Sequence, residues 1–240
     1  MSDTPLALIG MGRMGRAVAQ LASEQGFRVV AEIGSPRGGR SGVTAATLGG
    51  AAVAIEFTTP DAAPANVRAC VAAGCPVVVG TTGWYDALPA LSADVTRAQG
   101  ALLTAPNFSL GVAVFERVVA EAARLFDAVP GFAAHLVEIH HAAKRDAPSG
   151  TALAIARTAE RAGGRPMPVT SIRTGSVPGT HEVIFDAPFE QVRLVHEARD
   201  RRVFAEGALV AARWLIGRRG TFTMQDVIGP PDSTSHLERQ

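Results

Sequence analysis

One stretch of the chain carries side chains suited to proton chemistry, EIHHAAKRDAPSGTAL at residues 138–153. It places His140 and His141 side by side, shortly before Lys144, which is the only lysine in the sequence. Because successive side chains of a strand point to opposite faces, we predict that the Val137–Ile139 face is buried and that His140 projects from the more polar face. A histidine with a near-neutral pKa can deliver a proton to a reacting atom. The alternative is a hydrogen-bonded structural histidine.

The neighbouring histidines also raise the question of a metal site. Adjacent strand positions point to opposite faces, so His140 and His141 make a poor pair of ligands for one ion, and we expect no metal here. The cysteines Cys70 and Cys75 have no other metal ligands near them in the sequence. We expect both to be free thiols in a reducing cytoplasm.

The second half of the same stretch has the features of a helix start. Ser149 follows Pro148 and precedes an alanine-rich run, which predicts a helix N-cap at Ser149. Free backbone N–H groups of Ser149, Gly150 and Thr151 would then bind an anion, with the Thr151 hydroxyl as an extra donor. Lys144 adds a compact ammonium group, which, unlike a guanidinium, can give up a proton. The alternative for Lys144 is a solvated loop residue.

A second candidate site lies near the start of the chain. Its residues are Gly10, Met11, Gly12, Arg13, Met14 and Gly15. This G-x-G-x-x-G pattern stands between an apolar strand and a helix, the context typical of pyrophosphate binding in dinucleotide sites. Gly10 permits the tight turn, Gly12 lets the pyrophosphate approach the backbone, and Gly15 lets the helix pack closely on the strand. The alternative is a plain strand–turn–helix.

The acid expected to bind the adenosine ribose is Glu32, which ends the second predicted strand. A carboxylate repels a 2′-phosphate, so Glu32, followed by Ile33 rather than by arginine, favours NADH over NADPH. Arg37 and Arg40 lie just beyond and are able to bind that phosphate instead, unless they are solvated loop arginines. Both NAD and NADP therefore remain candidate cofactors.

Two further segments, GTTG and APNF, follow predicted strands, where the ligands of open α/β sheets bind. Small residues there would let a nicotinamide ring approach the backbone, whose N–H and C=O groups can hold a carboxamide. Taken alone, each segment is equally a turn. The candidate cofactor contacts are Gly80, Thr81, Thr82, Ala105, Pro106, Asn107 and Phe108.

Residues up to about 108 alternate short apolar runs with amphipathic helical patterns, which is typical of a parallel sheet covered on both faces. A long helix is predicted over 112–126, and the character of the chain then changes. Residues 135–141 alternate like a strand, and 171–186 and 190–198 resemble antiparallel strands. Helical periodicity returns over 203–216.

These elements predict an α/β chain with two domains. Residues 1–108 and 202–240 would form a dinucleotide-binding domain with a Rossmann-like parallel sheet. Residues 109–201 would form an α+β domain for substrate binding and oligomerisation, with an open mixed, mostly antiparallel sheet. The 240 residues are enough to bury a core, and the formal net charge of +1 gives no indication of nucleic-acid or membrane binding. We expect no signal peptide and no membrane-spanning segment.

At residues 138–152 the sequence resembles the signature of the dihydrodipicolinate reductase family, also called 4-hydroxy-tetrahydrodipicolinate reductases, which serve the diaminopimelate route to lysine. The resemblance extends over nearly the whole chain. It includes the glycine pattern and GTTG at 80–83, and four further segments: APNF-S-x-G-V at 105–112, IRTGSVPGTHEVIF at 172–185, FAEGALVAARWL at 204–215 and Met-x-Asp-Val at 224–227.

The resemblance implies a Rossmann domain, a substrate domain with an open mixed sheet, and a homotetramer. It implies that hydride passes from NAD(P)H to the ring of a cyclic dicarboxylate and that His140 then donates a proton. Lys144 would be the second catalytic group, and His141, Gly150 and Thr151 would hold one substrate carboxylate. Arg201 is a candidate for the other carboxylate, unless it is a solvated arginine.

Three other functions remain open for the sequence. A different imine or amino-acid dehydrogenase would share the two-domain plan but not the motif at 138–151. A non-catalytic nicotinamide-binding sensor would need no pair of histidine and lysine. A structural interaction protein would need neither the glycine pattern nor the anion site.

Overall fold

The structure is a computed structural model that describes residues 3–34 and 42–229. The described residues divide into two compact units. The first unit comprises the described residues within Met1–Ser109 and Phe204–Gln240, and the second unit is Leu110–Val203. Among the described residues, no helix has the length and apolarity needed to cross a bilayer.

The first unit contains a parallel sheet of six described strands, in the order β10-β5-β4-β3-β1-β2. Helices connect the strands, as predicted for an α/β fold. The strands are β1 (Thr4–Ile9), β2 (Phe27–Ile33), β3 (Val53–Glu56), β4 (Val77–Val79), β5 (Ala101–Thr104) and β10 (Gly220–Phe222). The helices are α1 (Arg13–Ala22), α2 (Ala63–Ala72), α3 (Leu88–Arg97) and α7 (Met224–Val227), with a short 3-10 turn at Tyr85–Ala87.

The central strands of this sheet are apolar except at their carboxyl ends, where β3 ends at Glu56 and β5 at Thr104, because both faces of the sheet are covered. All residues of β3, β4 and β5 are buried, and so are the last four residues of β1. This is the pattern that continuous apolar runs predict for a parallel sheet. The edge strand β10 and the one-turn helix α7 were not predicted from the sequence, since segments of three and four residues are too short to show periodicity.

The second unit is built on a four-stranded sheet in the order β7-β6-β8-β9. The strands are β6 (Ala133–His140), β7 (Val169–Arg173), β8 (Thr180–Ala187) and β9 (Glu190–Glu197). The helices are α4 (Leu110–Asp127) and α5 (Gly150–Gly163), and α6 (Arg202–Leu215) begins at the end of this unit and continues into the first. The predicted mixed sheet is confirmed.

One strand of the second unit differs from the prediction. Residues 171–186 were expected to be antiparallel strands, but the first of them, β7, pairs parallel to β6, with Ile139 opposite Ile172. The reason is the connection: β6 reaches β7 through helix α5, and such a crossover delivers the next strand in the parallel sense. The pairs β6–β8 and β8–β9 are antiparallel as predicted.

The prediction of which face of β6 is buried is wrong. Leu136, Glu138 and His140 are buried, whereas Val137 and Ile139 are only partly so. Two helices, α4 and α5, supply apolar side chains to the core around Leu136, and this decides which face is inside. A charged residue tolerates such a position only when it is paired and hydrogen-bonded, and Glu138 is both.

Candidate active site

The proton-donor candidate His140 is the last residue of β6 and is 8% exposed. Its Nδ1 is in hydrogen-bond contact with the carboxylate of Glu138, two residues earlier on the same face. A carboxylate at Nδ1 fixes the orientation of the ring and leaves Nε2 as the atom that can exchange a proton with a ligand. The strand period of two therefore produces a carboxylate–imidazole pair within one β-strand.

Sheet register brings further polar side chains to the same face. Arg173 of β7 stands opposite His140, and His181 of β8 stands opposite Glu138. The Arg173 Nη2 donates to Glu138 Oε1 at 2.6 Å and to the carbonyl oxygen of Asp146 at 2.6 Å. These cross-strand contacts were not foreseen, because sequence alone gives no register between strands far apart in the chain.

Burial and hydrogen bonding set the charges of this cluster. Burial by itself raises the pKa of Glu138, but hydrogen bonds from Arg173 and His140 outweigh it and lower that pKa to about 2, so the carboxylate is ionised. Burial lowers the pKa of His140, and the interaction with Glu138 offsets part of that decrease. Burial, together with the nearby charge of His140, lowers the pKa of His181 to about 4 and keeps it neutral.

The Nε2 side of the His140 ring, away from Glu138, faces Gly179, a residue that sequence reasoning missed. A β-carbon built on Gly179 would lie 2.9 Å from Nε2 of His140. Gly179 has φ +155°, a conformation that L side chains rarely adopt. Glycine at this position therefore leaves Nε2 of His140 uncovered on this side. In sequence, the dipeptide Pro178-Gly179 by itself indicates no more than a turn.

The predicted N-cap at Ser149 is confirmed. Ser149 has extended backbone angles, and its Oγ accepts from the Ala152 N–H at 3.1 Å, so α5 begins at Gly150. The predicted anion site needs one correction: the Ser149 N–H is not free, since it donates to Glu138 Oε1 at 3.3 Å. Ser149 thus links the helix start to the carboxylate that contacts His140.

A carboxylate of the chain itself lies at the predicted anion site. Lys144 Nζ donates to both Asp146 oxygens, at 2.7 and 2.9 Å. Burial raises the pKa of Asp146, but the hydrogen bonds from Lys144 and from the Gly150 backbone outweigh it and lower that pKa. Lys144 and Gly150 are therefore arranged so that one carboxylate group interacts with both. The pairing of Lys144 with Asp146 was not predicted from the sequence.

Two other predicted substrate contacts lie together. Arg201 Nη2 is 3.0 Å from His141 Nε2, although the residues are 60 positions apart. His141 is half-buried and Arg201 is exposed. Together, the guanidinium and the imidazole offer polar groups that can bind an anion.

His140, Glu138 and His181 also have ligand atoms within 4.8 Å of one another, which is a spacing that metal sites use. Here the Glu138 carboxylate already pairs with Arg173 and contacts His140. A cation at this point would compete with the guanidinium for the same carboxylate. The arrangement suits proton exchange better than metal binding.

In the first unit, the glycine pattern has the geometry of a close-packed strand–helix turn. A β-carbon on Gly10 would clash with the carbonyl oxygen of Phe57, and one on Gly15 would clash with the carbonyl oxygen of Gly10. Gly12 is the exposed N-cap of α1, and a β-carbon on it would meet nothing within 4 Å. Open space beside Gly12, at the N-terminus of a helix, fits a pyrophosphate.

The remaining residues of this pattern, and Glu32, differ in their exposure. Met11 and Met14 are partly buried, and Arg13, the first residue of α1, is exposed. Glu32 is exposed near the end of β2, opposite Leu8 of the neighbouring strand β1. Arg37 and Arg40 lie outside the described residues.

The segments GTTG and APNF follow β4 and β5 directly, as predicted, at the same edge of the sheet as the glycine turn. Phe57 touches all three segments: besides the contact with Gly10, its ring would collide with a β-carbon on Gly80 and packs edge-on against Phe108 at 5.9 Å. Sequence reasoning missed Phe57, because a single aromatic residue after a strand carries no signal of what it will touch.

The other predicted residues of these segments divide into buried and accessible ones. Ala105 and Thr81 are buried, and the Thr81 Oγ accepts from the Thr58 N–H at 2.8 Å, so this side chain has a structural role. Thr82 and Pro106 are exposed. Asn107 uses its Oδ1 to accept from the Ser109 N–H at 2.8 Å.

Comparison with known proteins relates residues 4–108 and 111–228 to one family. Residues 4–108 match the family description "Dihydrodipicolinate reductase, N-terminus", and residues 111–228 match "Dihydrodipicolinate reductase, C-terminus". A 4-hydroxy-tetrahydrodipicolinate reductase of Christiangramia forsetii is 32% identical over 235 residues, which cover 93% of this chain and 97% of that protein.

A second relative matches more strongly over a shorter region. The 4-hydroxy-tetrahydrodipicolinate reductase of Xanthomonas euvesicatoria is 44% identical over 154 residues, 64% of this chain and 63% of the length of that relative. Among solved structures, a dipicolinate-bound dihydrodipicolinate reductase from a Paenisporosarcina species superposes with a TM-score of 0.78 at 20% identity, covering 92% of this chain and 97% of that one. This likeness confirms the fold.

Proposed function

Since the chain belongs to the dihydrodipicolinate reductase family, we propose that it reduces 4-hydroxy-tetrahydrodipicolinate to tetrahydrodipicolinate with a nicotinamide dinucleotide, in the cytoplasm, as a step of diaminopimelate and lysine biosynthesis. The observation that carries the proposal is the anion site beside the proton donor. Lys144 and Gly150 hold the carboxylate of Asp146, and the buried pair of His140 and Glu138 is joined to the same helix start through Ser149.

The first unit has the features that the cofactor requires. The turn at Gly10–Gly15 excludes side chains at two of its glycines and is open beside Gly12. We propose that Gly12 and the first residues of α1 bind the pyrophosphate, that Glu32 binds the adenosine ribose, and that the segments at 80–82 and 105–108 hold the nicotinamide. The bound dinucleotide supplies the hydride.

The second unit would bind the cyclic dicarboxylate and provide the proton. Lys144, Gly150 and Thr151 take one carboxylate, which replaces that of Asp146. The resemblance assigns His141 to the first carboxylate with Gly150 and Thr151, but His141 lies 3.0 Å from Arg201, and we therefore propose that these two residues take the other carboxylate. The ring first loses its hydroxyl group as water, together with a proton from the adjacent ring carbon. The carbon that carried the hydroxyl group then accepts the hydride, Nε2 of His140 donates its proton to the adjacent carbon of the resulting anionic enamine, and solvent returns a proton to His140.

Replacement of His140 tests this assignment. His140→Ala is expected to lower kcat by about 10²–10⁴-fold, which is what a positioned general acid contributes. Because the carboxylate contacts remain, KM should change little. The measurement is single-turnover and steady-state oxidation of NADH by the purified protein with the cyclic substrate. An unchanged kcat would remove His140 from the mechanism, and a wild-type protein that does not oxidise NADH with this substrate would refute the function itself.

We further propose that NADH is preferred to NADPH. Glu32 is exposed near the end of β2, where its charge would repel a 2′-phosphate. Steady-state kcat/KM with each cofactor decides the question. A strong preference for NADPH would instead implicate Arg37 or Arg40, whose alanine variants should then lose activity with NADPH selectively.

We also propose that the chain assembles as a homotetramer through the outer face of the second sheet. Ile172 and Val195 are 40% and 55% exposed there, and the pairing register places them on the same face as Val137 and Ile139. Exposed apolar faces and sheet edges of this kind are commonly covered by subunit contacts. Light scattering should give the mass of four chains, and a monomer at assay concentration would contradict the assembly.

A further inference from the structure

Glu138 is a charged residue in a position that hydrophobic burial alone would not select. It has no solvent exposure, yet it lies on the inner face of β6 among the side chains that face α4 and α5. Buried carboxylates are retained where they serve a specific interaction, because their desolvation is unfavourable. For Glu138, the specific interaction within the candidate site is its contact with Nδ1 of His140.

Glu138 is itself held in place from two directions. Arg173 Nη2 donates to its Oε1 at 2.6 Å, and the Ser149 N–H donates to the same oxygen at 3.3 Å. This leaves Oε2 for His140. Arg173 also donates to the Asp146 carbonyl oxygen at 2.6 Å, so its guanidinium is fixed to the loop that carries Lys144.

Apart from Glu138, the groups that influence the charge of His140 are positively charged or neutral. Arg173 and Lys144 both disfavour its protonated form, and His181, whose ring centroid is 5.3 Å away, is neutral. Burial acts in the same direction. Glu138 is thus the group whose charge favours the imidazolium form that a proton donor must adopt.

We propose that Glu138 is a positioning residue for the proton donor and that Arg173 positions Glu138. This inference rests on the proposed function of His140. Glu138 keeps a proton on Nδ1 of His140 in both charge states of the ring. The proton on Nε2 is then the one that moves: the Nε2–H bond breaks, a C–H bond forms on the substrate, and neutral His140 stays hydrogen-bonded to Glu138.

The test is Glu138→Gln, which removes the charge and keeps the shape. We expect kcat to fall by about 10²-fold or more, as when the carboxylate behind a catalytic histidine is replaced by an amide. KM for substrate and cofactor should stay within about threefold, since Glu138 contacts neither. The pH above which kcat declines should move lower, because loss of the carboxylate makes the His140 imidazolium less stable.

A matched control is Asp94→Asn in helix α3 of the first unit. Asp94 also pairs with an arginine, Arg68, at 3.0 Å, but it belongs neither to the second unit nor to the face proposed for subunit contacts. Its variant should keep the wild-type kcat and pH profile. A loss in the control as large as that in Glu138→Gln would mean that loss of any arginine-paired carboxylate lowers activity, and would overturn the inference.

Glu138→Gln leaves the partly buried Arg173 without its carboxylate, which can prevent folding. The double variant Glu138→Gln with Arg173→Gln avoids this and should show the same loss of kcat. A readout independent of turnover is the titration of the His140 ring nitrogens by NMR in the full-length, ¹⁵N-histidine-labelled protein. The pKa of His140 should be lower in Glu138→Gln than in the wild type. In the double variant the decrease should be smaller, because Arg173, whose charge also lowers this pKa, is absent.

The outcomes separate this inference from the function on which it rests. If the wild type turns over, His140→Ala is impaired and the Glu138 variants retain both the wild-type kcat and the wild-type pKa of His140, only the positioning role is overturned. If the wild type does not reduce the substrate but its His140 pKa falls on removal of Glu138, the proposed function fails and the Glu138–His140 coupling stands.

Discussion

Gly179 lies so close to His140 that a single methyl group on its α-carbon would stand 2.9 Å from the Nε2 atom. Gly179 is the last residue before β8, and His140 is the last residue of β6. Because β6 and β8 are antiparallel neighbours, the two residues lie next to each other at the same end of the sheet. The space beside Nε2 of His140 is therefore maintained by the absence of a side chain on the residue that precedes β8. A glycine here has a steric reason as well as a conformational one.

Gly179→Ala is expected to lower kcat by more than tenfold, because the methyl group displaces the imidazole or covers its Nε2, and displacement of a catalytic group by about 1 Å can cost about a hundredfold in rate. The matched control is Gly175→Ala in the same loop, where φ is +51° and a β-carbon would meet nothing within 4 Å. Steady-state NADH oxidation by both variants decides the point. Equal activity of the two variants would contradict a steric role for Gly179.

The pH dependence of the reaction should reflect the environment of His140. A general acid must be protonated, so activity falls as pH rises through its pKa. Burial lowers the pKa of His140 in the free protein, and therefore kcat/KM should begin to decline below the usual histidine pKa of about 6.5. In the substrate complex, the carboxylates of the substrate favour the imidazolium, so the decline in kcat should occur at higher pH. Full pH profiles of both parameters test this order, and the reverse order would contradict it.

Lys144→Arg is expected to fail nearly as badly as Lys144→Ala. Lys144 Nζ reaches both oxygens of one carboxylate, at 2.7 and 2.9 Å, from a side chain that is only 22% exposed. The guanidinium is larger and presents a rigid fork, so it would displace a carboxylate from this point, and it does not release a proton near neutral pH. Cofactor affinity should survive in both variants, as measured by NADH fluorescence titration. Turnover near the wild-type rate in the arginine variant would reduce Lys144 to a source of positive charge.

Two glycines of the dinucleotide turn should respond differently to alanine. Gly12→Ala should keep the wild-type thermal stability, since its β-carbon meets nothing within 4 Å, but the affinity for NADH should fall by more than about tenfold because the methyl group occupies the space proposed for the pyrophosphate. Gly15→Ala should lose stability as well, through a clash with the Gly10 carbonyl. Thermal unfolding and fluorescence titration separate the two effects. Undiminished NADH affinity in Gly12→Ala would argue against pyrophosphate binding there.

Much of the fold was predictable because its signals are local. The continuous apolar runs of β3, β4 and β5 indicate a sheet covered on both faces, and Ser149 caps α5 where the spacing predicted it. Glycine turns and caps involve residues a few positions apart, so their physics is contained in a short segment. The family resemblance at 138–152 depends on the same kind of local pattern.

The local pattern was misleading where a long-range contact competes with hydropathy. Val137 and Ile139 are more apolar than Glu138 and His140, yet the second pair is the more buried. The ion pair with Arg173, 35 residues along the chain, makes the burial of Glu138 tolerable. Periodicity identified the two faces of β6 correctly and could not say which one the helices would cover.

The sequence by itself determined which residue types are available for chemistry: a histidine at a strand end, a single lysine, a helix N-cap and a glycine turn. Only the tertiary structure decided their partners, Glu138 with Arg173, Lys144 with Asp146, His141 with Arg201, and His140 with Gly179. The physical reason is that these partnerships, except that of Lys144 with Asp146, depend on strand register and on where distant segments converge. Register is set by the packing of whole sheet faces, which no short stretch of sequence specifies.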